Sequence, residues 1–522
     1  MFGRQNWTFC QDCEKVFPKH GRTNLFSIGG FSLRIGNEVG WKEGEAVSES
    51  LLQRRAEIQG LATAILLPSV SVFSQPVETG AGDVGPLTSV VGIGLFQRAV
   101  LTMQRAGIRQ LIVLAGPEEE QLKQALGQGP RVTIPVRWMP IREFPLDDPR
   151  TWEFLAAEVH GFALVAGVNG VFARGLVELL RRDVKDGEAI VVAQTGRDLL
   201  DDLAQSGLRL KLRDDRLTSF APAHFEGSAP RAAEMVVLPS SLMNSTNLPM
   251  LESGRLPIRH WLERAAVDGR VRILAAENGE GAWYQEVRTV PDVRAAEKKL
   301  FNSLKGDAEG FVDRYFNRKL SRWFTRLFLA IGLSPNSITA LASLVGFVAA
   351  VGFGMGTYTA GVIAALLFQL AAVIDCCDGE VARLTFTESP FGAWLDLAMD
   401  NLVHMAIFAG VGIGLYTAQT GQAYDWVPLV LGGSAVFGNG AAFLLVEKTQ
   451  KIKSASGWKT PGHAAWADFM LKNVASRDFS VFLLMFALFE KLNVFLWLTA
   501  AGSLIFAGVM VWVVRPSAVS RA

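Results

Sequence analysis

Asp375-Cys-Cys-Asp-Gly-Glu-Val-Ala-Arg383 stands inside strongly apolar sequence, and Gly392, Asp396 and Asp400 follow in a second apolar stretch. Ionised side chains at bilayer depth are costly, so they usually mark a site where cations or a wet cavity face them. The two stretches therefore predict membrane-spanning helices that carry a functional site.

The spacing of the four aspartates predicts that they converge. Residues three or four apart share a helix face, so Asp375 and Asp378 form one stripe, and Asp396 and Asp400 form another. If the two helices pack side by side, these carboxylates meet in an oxygen-rich site. Hard cations such as Mg²⁺ or Mn²⁺ prefer oxygen ligands, and a pair of metal ions can stabilise displacement at phosphorus. Arg383 would supply a positive fork for the same phosphates.

These positions resemble the signature of the CDP-alcohol phosphotransferase (CDP-alcohol phosphatidyltransferase) family, D-x-x-D-G-x-x-A-R, a spacer and G-x-x-x-D-x-x-x-D, with every fixed position filled. The resemblance implies that an acceptor hydroxyl attacks the β-phosphorus of a CDP-linked donor and that CMP leaves. It implies two Mg²⁺ or Mn²⁺ ions held by Asp375, Asp378 and Asp396, with Asp400 completing the metal site or acting as the catalytic acceptor of the proton. It also places the CDP moiety against Asp378, Gly379, Ala382, Arg383 and Gly392.

Length and composition bound the remaining possibilities. A chain of 522 residues has material for two cores, and a net charge of +1 gives no sign of a nucleic-acid partner. The start lacks a basic region followed by an apolar core, so no secretory signal is expected. Cys10 and Cys13 form a single C-x-x-C without a second pair, which favours an ordinary reduced pair over a zinc or redox site.

The sequence predicts a soluble α/β domain followed by an all-α membrane domain. We divide the chain into an N-terminal extension (1–57), an α/β domain (58–290), an amphipathic bridge (291–334) and a membrane domain (335–522). In the α/β domain, β-rich runs alternate with amphipathic stretches, which predicts a mainly parallel sheet covered on both faces. The predicted strands are 62–67, 110–115, 162–166 and 189–193, and the predicted helices are 95–106, 118–126 and 171–182.

Residues 86–95 and the strand that follows them resemble the sugar-phosphate nucleotidyltransferase fold, but the positions that should carry its chemistry differ. Residues 68–74 lack the glycine-rich basic loop, Gly85 stands where a lysine is usual, and Asn169 replaces the expected metal-binding aspartate. Without those charges, binding of a triphosphate and Mg²⁺ is hard to explain. The prediction is a nucleotidyltransferase-like domain that has lost catalysis and that binds a nucleotide, positions a partner or regulates the other half.

The membrane domain is predicted to have six spans, the number that the family resemblance implies. They lie at about 337–356, 358–376, 392–416, 427–446, 479–491 and 493–514. Residues 311–328 mix basic and aromatic residues and predict an amphipathic helix in the membrane interface. The asymmetry of Lys and Arg predicts a multi-pass protein of the cytoplasmic (inner) membrane, with the N-terminal domain, the acidic site and the C-terminus in the cytoplasm.

The fused architecture resembles bifunctional enzymes that make CDP-inositol and then join it to inositol phosphate. A phosphorylated acceptor could be held by four basic residues, although a basic loop is more often only a topology signal: Lys451, Lys453, Lys459 and Arg477. Two alternatives stay open: phospholipid synthesis from CDP-diacylglycerol or a CDP-amino alcohol, and a non-catalytic membrane carrier or scaffold. A homodimer is implied by the family resemblance alone.

Overall fold

The structure is a computed structural model, and it describes residues 25–28, 31–34, 60–73, 84–127, 131–194, 208–213, 216–221, 230–244, 256–276, 281–304, 318–419, 425–456 and 479–514. The chain divides into two compact units, Met1–Gln59 and Gly60–Ala522. In the first unit, the described residues form a hairpin of β1 (Leu25–Ile28) and β2 (Phe31–Arg34). Cys10 and Cys13 lie outside the described residues.

The second unit begins with an α/β domain. Its strands are β3 (Leu61–Leu67), β4 (Ser89–Val90), β5 (Ile93–Gly94), β6 (Gln110–Ala115), β7 (Val136–Pro140), β8 (Phe162–Gly167), β9 (Gly170–Phe172), β10 (Ala189–Gln194), β11 (Arg209–Arg213), β12 (Arg216–Ala221), β13 (Arg231–Pro239), β14 (Val271–Ala276) and β15 (Tyr284–Glu286). Its helices are α1 (Leu95–Arg105), α2 (Glu119–Gly127), α3 (Pro149–Glu158), α4 (Arg174–Asp183), α5 (Ser240–Met243), α6 (Ile258–Val267) and α7 (Val290–Ser303).

Nine of the described strands form one sheet in the order β10-β14-β12-β11-β13-β8-β3-β6-β7. The four predicted strands are confirmed as β3, β6, β8 and β10. The sheet is mixed, because β13 runs antiparallel to both β8 and β10, and the prediction of a mainly parallel sheet was wrong in this respect. The helix predicted from residue 171 begins instead at Arg174, since Gly170–Phe172 pairs with β15.

Both faces of this sheet are covered, as predicted. On one face, Ile65 and Leu67 of β3 pack in a cluster with Trp152 and Trp261. On the other face, Ala64 and Leu66 belong to a cluster with Phe96 of α1. Strands that are buried on both sides read as continuous apolar runs, which is why the pattern revealed them.

The remaining helices are α8 (Arg318–Ala330), α9 (Pro335–Gly354), α10 (Tyr358–Thr385), α11 (Pro390–Thr417), α12 (Val427–Ser456), α13 (Phe479–Leu488) and α14 (Leu492–Val514). Five of these helices, α9 to α12 and α14, are long and apolar enough to cross a membrane. The chain is therefore a multi-pass membrane protein. The fifth predicted span, 479–491, appears as the ten residues of α13 at the start of a described segment, and six spans are not established.

The second predicted span does not end near residue 376. Instead, α10 continues through the whole first aspartate motif to Thr385. Asp375 and Asp378 are buried inside the protein, so they interrupt neither the helix nor its apolar outer surface.

The amphipathic helix predicted at 311–328 appears as α8 over residues 318–330, whereas 311–317 lie outside the described residues. One face of α8 buries Ser321, Thr325 and Phe328 against the rest of the protein. The other face exposes an apolar stripe at helical spacing: Leu320, Trp323, Leu327 and Ile331.

Candidate active site

Two helices carry the aspartate motif, and a short connection joins them. α10 ends at Phe386, whose φ of 57° lies in the left-handed region. Ser389 begins α11, since its hydroxyl accepts a hydrogen bond from the amide of Gly392 at 2.9 Å, and Pro390 occupies the first helical turn. The end of α10 and the beginning of α11 are therefore only a few residues apart.

The backbones of the two motif helices lie apart, and α9 packs against both helices. Side chains bridge the space between α10 and α11, since the ring of Phe368 lies 5.8 Å from the ring of His404. The motif carboxylates also meet in this space.

Three of the four aspartates meet across this space. Carboxylate oxygens of Asp375, Asp396 and Asp400 lie within 4.8 Å of one another. Asp375 is buried, and Asp396 and Asp400 are half-buried. Three negative charges this close repel one another, and a hard divalent cation with oxygen preference would relieve that repulsion. The donor set therefore fits Mg²⁺ or Mn²⁺.

Asp378 does not belong to this group of three. Its Oδ2 accepts a hydrogen bond from the hydroxyl of Thr339 on α9, and the side chain is buried. The same hydroxyl oxygen lies 3.2 Å from the carbonyl oxygen of Pro335. The contact fixes Asp378 relative to the start of α9, and its role as a metal ligand stays a prediction.

The small residues of the motif leave room for their neighbours. A Cβ on Gly379 would lie 3.3 Å from a guanidinium nitrogen of Arg383, so the arginine folds back over the glycine one turn earlier. A Cβ on Gly392 would lie 3.3 Å from the side-chain oxygen of Asn336. Ala382 is buried on the same helix as Arg383, whose own side chain is exposed. The guanidinium is thus close to the motif and open to an incoming anion.

Sequence reasoning missed Glu380, although a third acid in an apolar helix was a readable signal. Its carboxylate is buried and accepts hydrogen bonds from Ser321 at 3.0 Å and from Thr325 at 2.7 Å. Both donors lie on α8, so this acid ties the bridge helix to the motif helix. Thr339 and Asn336 were also missed as site neighbours, and only the folded arrangement brings them there.

The four residues predicted to hold an acceptor phosphate have no described side chains. Lys451 and Lys453 belong to α12, but their side chains are outside the described part of the chain. Lys459 and Arg477 lie wholly outside it.

In the α/β domain, Glu234 is a buried glutamate of β13 whose side chain contacts the turn after β3. The carboxylate of Glu234 accepts a hydrogen bond from the amide of Val72 at 2.5 Å and another from the hydroxyl of Ser71 at 2.6 Å. Burial raises the pKa of Glu234 above its ordinary value. Nearby, Arg288 lies 3.6 Å from Glu234, and Arg231 pairs with Glu286 at 3.0 Å. At this end of the sheet, the two arginines thus lie beside carboxylates of opposite charge.

Residues 333–514 match the family model for CDP-alcohol phosphatidyltransferase. A "Bifunctional IPC transferase and DIPP synthase" of Rubrobacter xylanophilus is 28% identical over 386 residues, which cover 71% of this chain and 81% of that protein. A protein with the same name from Aquifex aeolicus is 28% identical over 222 residues, or 42% of this chain and 46% of the relative. The chain therefore matches less than half the length of the Aquifex relative.

Two other similarities are weaker or shorter. An "Archaetidylinositol phosphate synthase" of Methanothermobacter thermautotrophicus is 31% identical over 128 residues, which cover 24% of this chain and 56% of that protein. The inositol-1-phosphate CTP transferase from T. maritima has a solved structure that covers 47% of this chain and 99% of its own, with 13% identity and a TM-score of 0.37. The aspartate motif and the helices that carry it lie within residues 333–514, and over these residues the chain is similar to the CDP-alcohol phosphatidyltransferase family.

Proposed function

We propose that this chain is an integral-membrane transferase that moves a substituted phosphate group from a CDP-linked donor to an alcohol acceptor, with release of CMP. One observation carries the proposal: Asp375, Asp396 and Asp400 come from two helices of a matching family domain and bring their oxygens within 4.8 Å of one another. Acidic side chains that cluster within an apolar helix bundle usually mark a functional site. A site for cations bound to a pyrophosphate would account for this cluster.

Asp375, Asp396 and Asp400 would hold the metal, and Asp378 is the further ligand that the family resemblance implies. Mg²⁺ or Mn²⁺, as two ions, would neutralise charge on the donor pyrophosphate and on the departing CMP. Arg383 is proposed to contact the donor phosphates, with Gly379, Ala382 and Gly392 leaving room for the CDP moiety. Asp400 is proposed to take the proton from the acceptor hydroxyl, because a carboxylate is a sufficient base when that oxygen is polarised.

The acceptor is proposed to be an inositol phosphate, and the donor CDP-inositol. The names of the relatives in Rubrobacter and Aquifex support this choice, and the Rubrobacter match is long enough to extend well beyond the membrane domain. The basic residues Lys451, Lys453, Lys459 and Arg477 remain the proposed contacts of the acceptor phosphate. The second candidate is transfer from CDP-diacylglycerol to the same acceptor, which the name of the Methanothermobacter relative favours.

The α/β domain is proposed to be a nucleotidyltransferase-like domain without catalysis of its own. Glu234 supports this proposal, because its carboxylate already takes up the amide and hydroxyl donors of Val72 and Ser71. A triphosphate would have to displace that buried acid and would meet its negative charge. Arg231 and Arg288, the basic groups at the same end, lie beside glutamates.

The proposed location is the cytoplasmic membrane, with the α/β domain and the acidic site on the cytoplasmic side. The bias of basic residues supports this orientation. The apolar stripe of α8 supports a position in the membrane interface, where Leu320, Trp323 and Leu327 would face lipid. A homodimer stays a proposal from family resemblance.

The test is CMP release by the purified full chain in lipid nanodiscs. CDP-inositol and CDP-diacylglycerol are each supplied with inositol phosphate, in Mg²⁺, Mn²⁺ or EDTA, and CTP with inositol phosphate tests the α/β domain. We expect metal-dependent CMP release with one donor, loss of it in Asp396→Asn and Asp400→Asn, and full activity in the matched control Glu490→Gln, whose side chain is exposed in the turn before α14. If neither donor gave CMP and the protein carried ions across liposome membranes, the proposal of an enzyme would be rejected in favour of a membrane carrier.

A further inference from the structure

Residues 384–389, which are the last two residues of α10 and the four residues before α11, join the two helices that carry the aspartate motif and are called the loop here. It follows Arg383 directly and ends at Ser389, which begins α11. Because the backbones of α10 and α11 lie apart, this loop and α9, which packs against both helices, help to set the distance from Asp375 to Asp396 and Asp400. A change in the loop would therefore alter the spacing of the carboxylates.

Three arginines of the α/β domain bind this loop. Arg98 of α1 donates to the carbonyl of Leu384 at 3.1 Å and to that of Val90 at 2.7 Å. Arg131 donates to the carbonyl of Thr385 at 2.8 Å. Arg105 of α1 forms an ion pair with Glu388, with Nη1 to Oε1 at 3.1 Å. These contacts arise from tertiary packing and not from local structure, since Arg98 and Leu384 are 286 residues apart in the sequence.

The backbone of the loop needs such support. Phe386 has a φ of 57°, a left-handed conformation that L-residues with a side chain adopt at a cost. The guanidinium of Arg105 lies 4.4 Å from the centre of the Phe386 ring, and that of Arg98 lies 5.5 Å from it. Cations placed over a ring and at the carbonyl end of a helix are both favourable.

Arg98 is buried, and burying its positive charge costs desolvation free energy that an arginine on the surface would not lose. Only 3% of this residue is exposed, and burial lowers its pKa to about 9, which leaves it a cation at neutral pH. Its partners are main-chain carbonyls that close a turn of the α/β domain and the C-terminal end of α10. A buried cation shared by two parts of a protein couples their positions.

We propose that Arg98, Arg105 and Arg131 are positioning residues for the transferase site: they hold the loop 384–389 so that the two motif helices keep the carboxylate spacing that a divalent cation requires. The α/β domain is then a structural part of the membrane active site. This inference rests on the proposed function.

The test uses the full chain in nanodiscs and measures Mn²⁺ affinity by calorimetry, beside kcat and KM for CMP release. Arg105→Met and Glu388→Gln are each expected to weaken Mn²⁺ binding about three- to tenfold and to lower kcat, with little change in donor KM, because each breaks one partly exposed pair beside the loop. The exchanged pair Arg105→Glu with Glu388→Arg is expected to recover most of the Mn²⁺ affinity. The matched control is Arg174→Met, which breaks an exposed ion pair with Glu178 on α4 and should change none of these values.

Arg98→Lys and Arg131→Met extend the test to the two arginines that bind carbonyls, with the unfolding temperature recorded for each variant. Unchanged Mn²⁺ affinity and kcat in Arg105→Met, Glu388→Gln and Arg131→Met would overturn the positioning role, as would an exchanged pair no better than either single variant. A parent protein that binds Mn²⁺ but releases no CMP with any donor would overturn the proposed function alone, since the Mn²⁺ affinities still compare the variants.

Discussion

Asp396→Asn is expected to stabilise the protein when metal is absent and to remove its stabilisation by metal. Oxygens of Asp375, Asp396 and Asp400 lie within 4.8 Å of one another, so each ionised pair repels by about 3.5 kcal/mol at an effective dielectric constant of about 20. The substitution removes two of the three pairs, which together amount to about 7 kcal/mol before screening. Solvent screening at the half-exposed positions reduces this gain, and we expect about 1–2 kcal/mol.

The effect of metal has the opposite sign. A cation at 100 times its dissociation constant stabilises the parent protein by about 2.7 kcal/mol, provided that it binds only the folded chain. In Asp396→Asn a ligand is lost, so the same concentration should give a much smaller gain. For a domain of this size, about 1 kcal/mol corresponds to about 2–4 °C in unfolding temperature.

The assay is thermal unfolding of the full chain in detergent, followed by tryptophan fluorescence in EDTA and across a titration of Mg²⁺ or Mn²⁺. We expect Asp396→Asn to unfold at least about 2 °C above the parent in EDTA and below it in saturating metal. Glu490→Gln, an exposed acid outside the cluster, should follow the parent in both conditions. A variant that is less stable than the parent in EDTA, yet keeps the full metal response, would refute the reasoning that the three carboxylates form one cation site.

Three further predictions concern the fold around the site. Glu380→Ala should lower the free energy of unfolding by about 2–4 kcal/mol, because it removes the carboxylate that accepts hydrogen bonds from the buried hydroxyls of Ser321 and Thr325. Glu380→Gln keeps an acceptor and should lose less. Chemical unfolding in detergent measures both variants, and equal losses would contradict this account. Gly410→Ala would put a Cβ 2.3 Å from the carbonyl oxygen of Ala350, so α9 and α11 must separate and the unfolding temperature should fall, at a cost of about 1–3 kcal/mol, whereas Gly433→Ala, with nothing within 4 Å, should be tolerated. Burial raises the pKa of Glu234, so at a pH between its ordinary and its raised pKa the folded chain keeps a proton that the unfolded chain has released. The parent should therefore lose unfolding temperature relative to Glu234→Gln as pH rises from the ordinary carboxyl pKa through the raised folded pKa, and parallel profiles would refute the assignment.

Several features of the site were predictable because they depend on local spacing. Asp375 and the acids that follow it stand in a helical register, and an apolar context makes ionised groups conspicuous. The strands β3, β6, β8 and β10 were found for a similar reason, since burial on both faces demands uninterrupted apolar residues. Such signals are contained within one element and need no knowledge of its neighbours.

Other features could not be predicted in this way. The direction of β13 is set by its neighbours β8 and β10, and a buried run of residues reads the same in either direction. The partner of Asp378 is Thr339, and the donors to Glu234 come from a turn 162 and 163 residues away. The separation of α10 and α11 depends on how α9 packs against both of them.

The sequence alone predicted the residues that would carry the chemistry, because charge in an apolar helix is tolerated only where something compensates it. It also predicted an α/β domain ahead of a multi-pass membrane region, since the length and period of apolar runs follow from what surrounds each element. The folded arrangement was needed to see that three of the four aspartates bring their oxygens within 4.8 Å of one another and that Arg98 reaches the end of α10. Those contacts join residues far apart along the chain, and their geometry arises from the packing of whole elements, which no local pattern encodes.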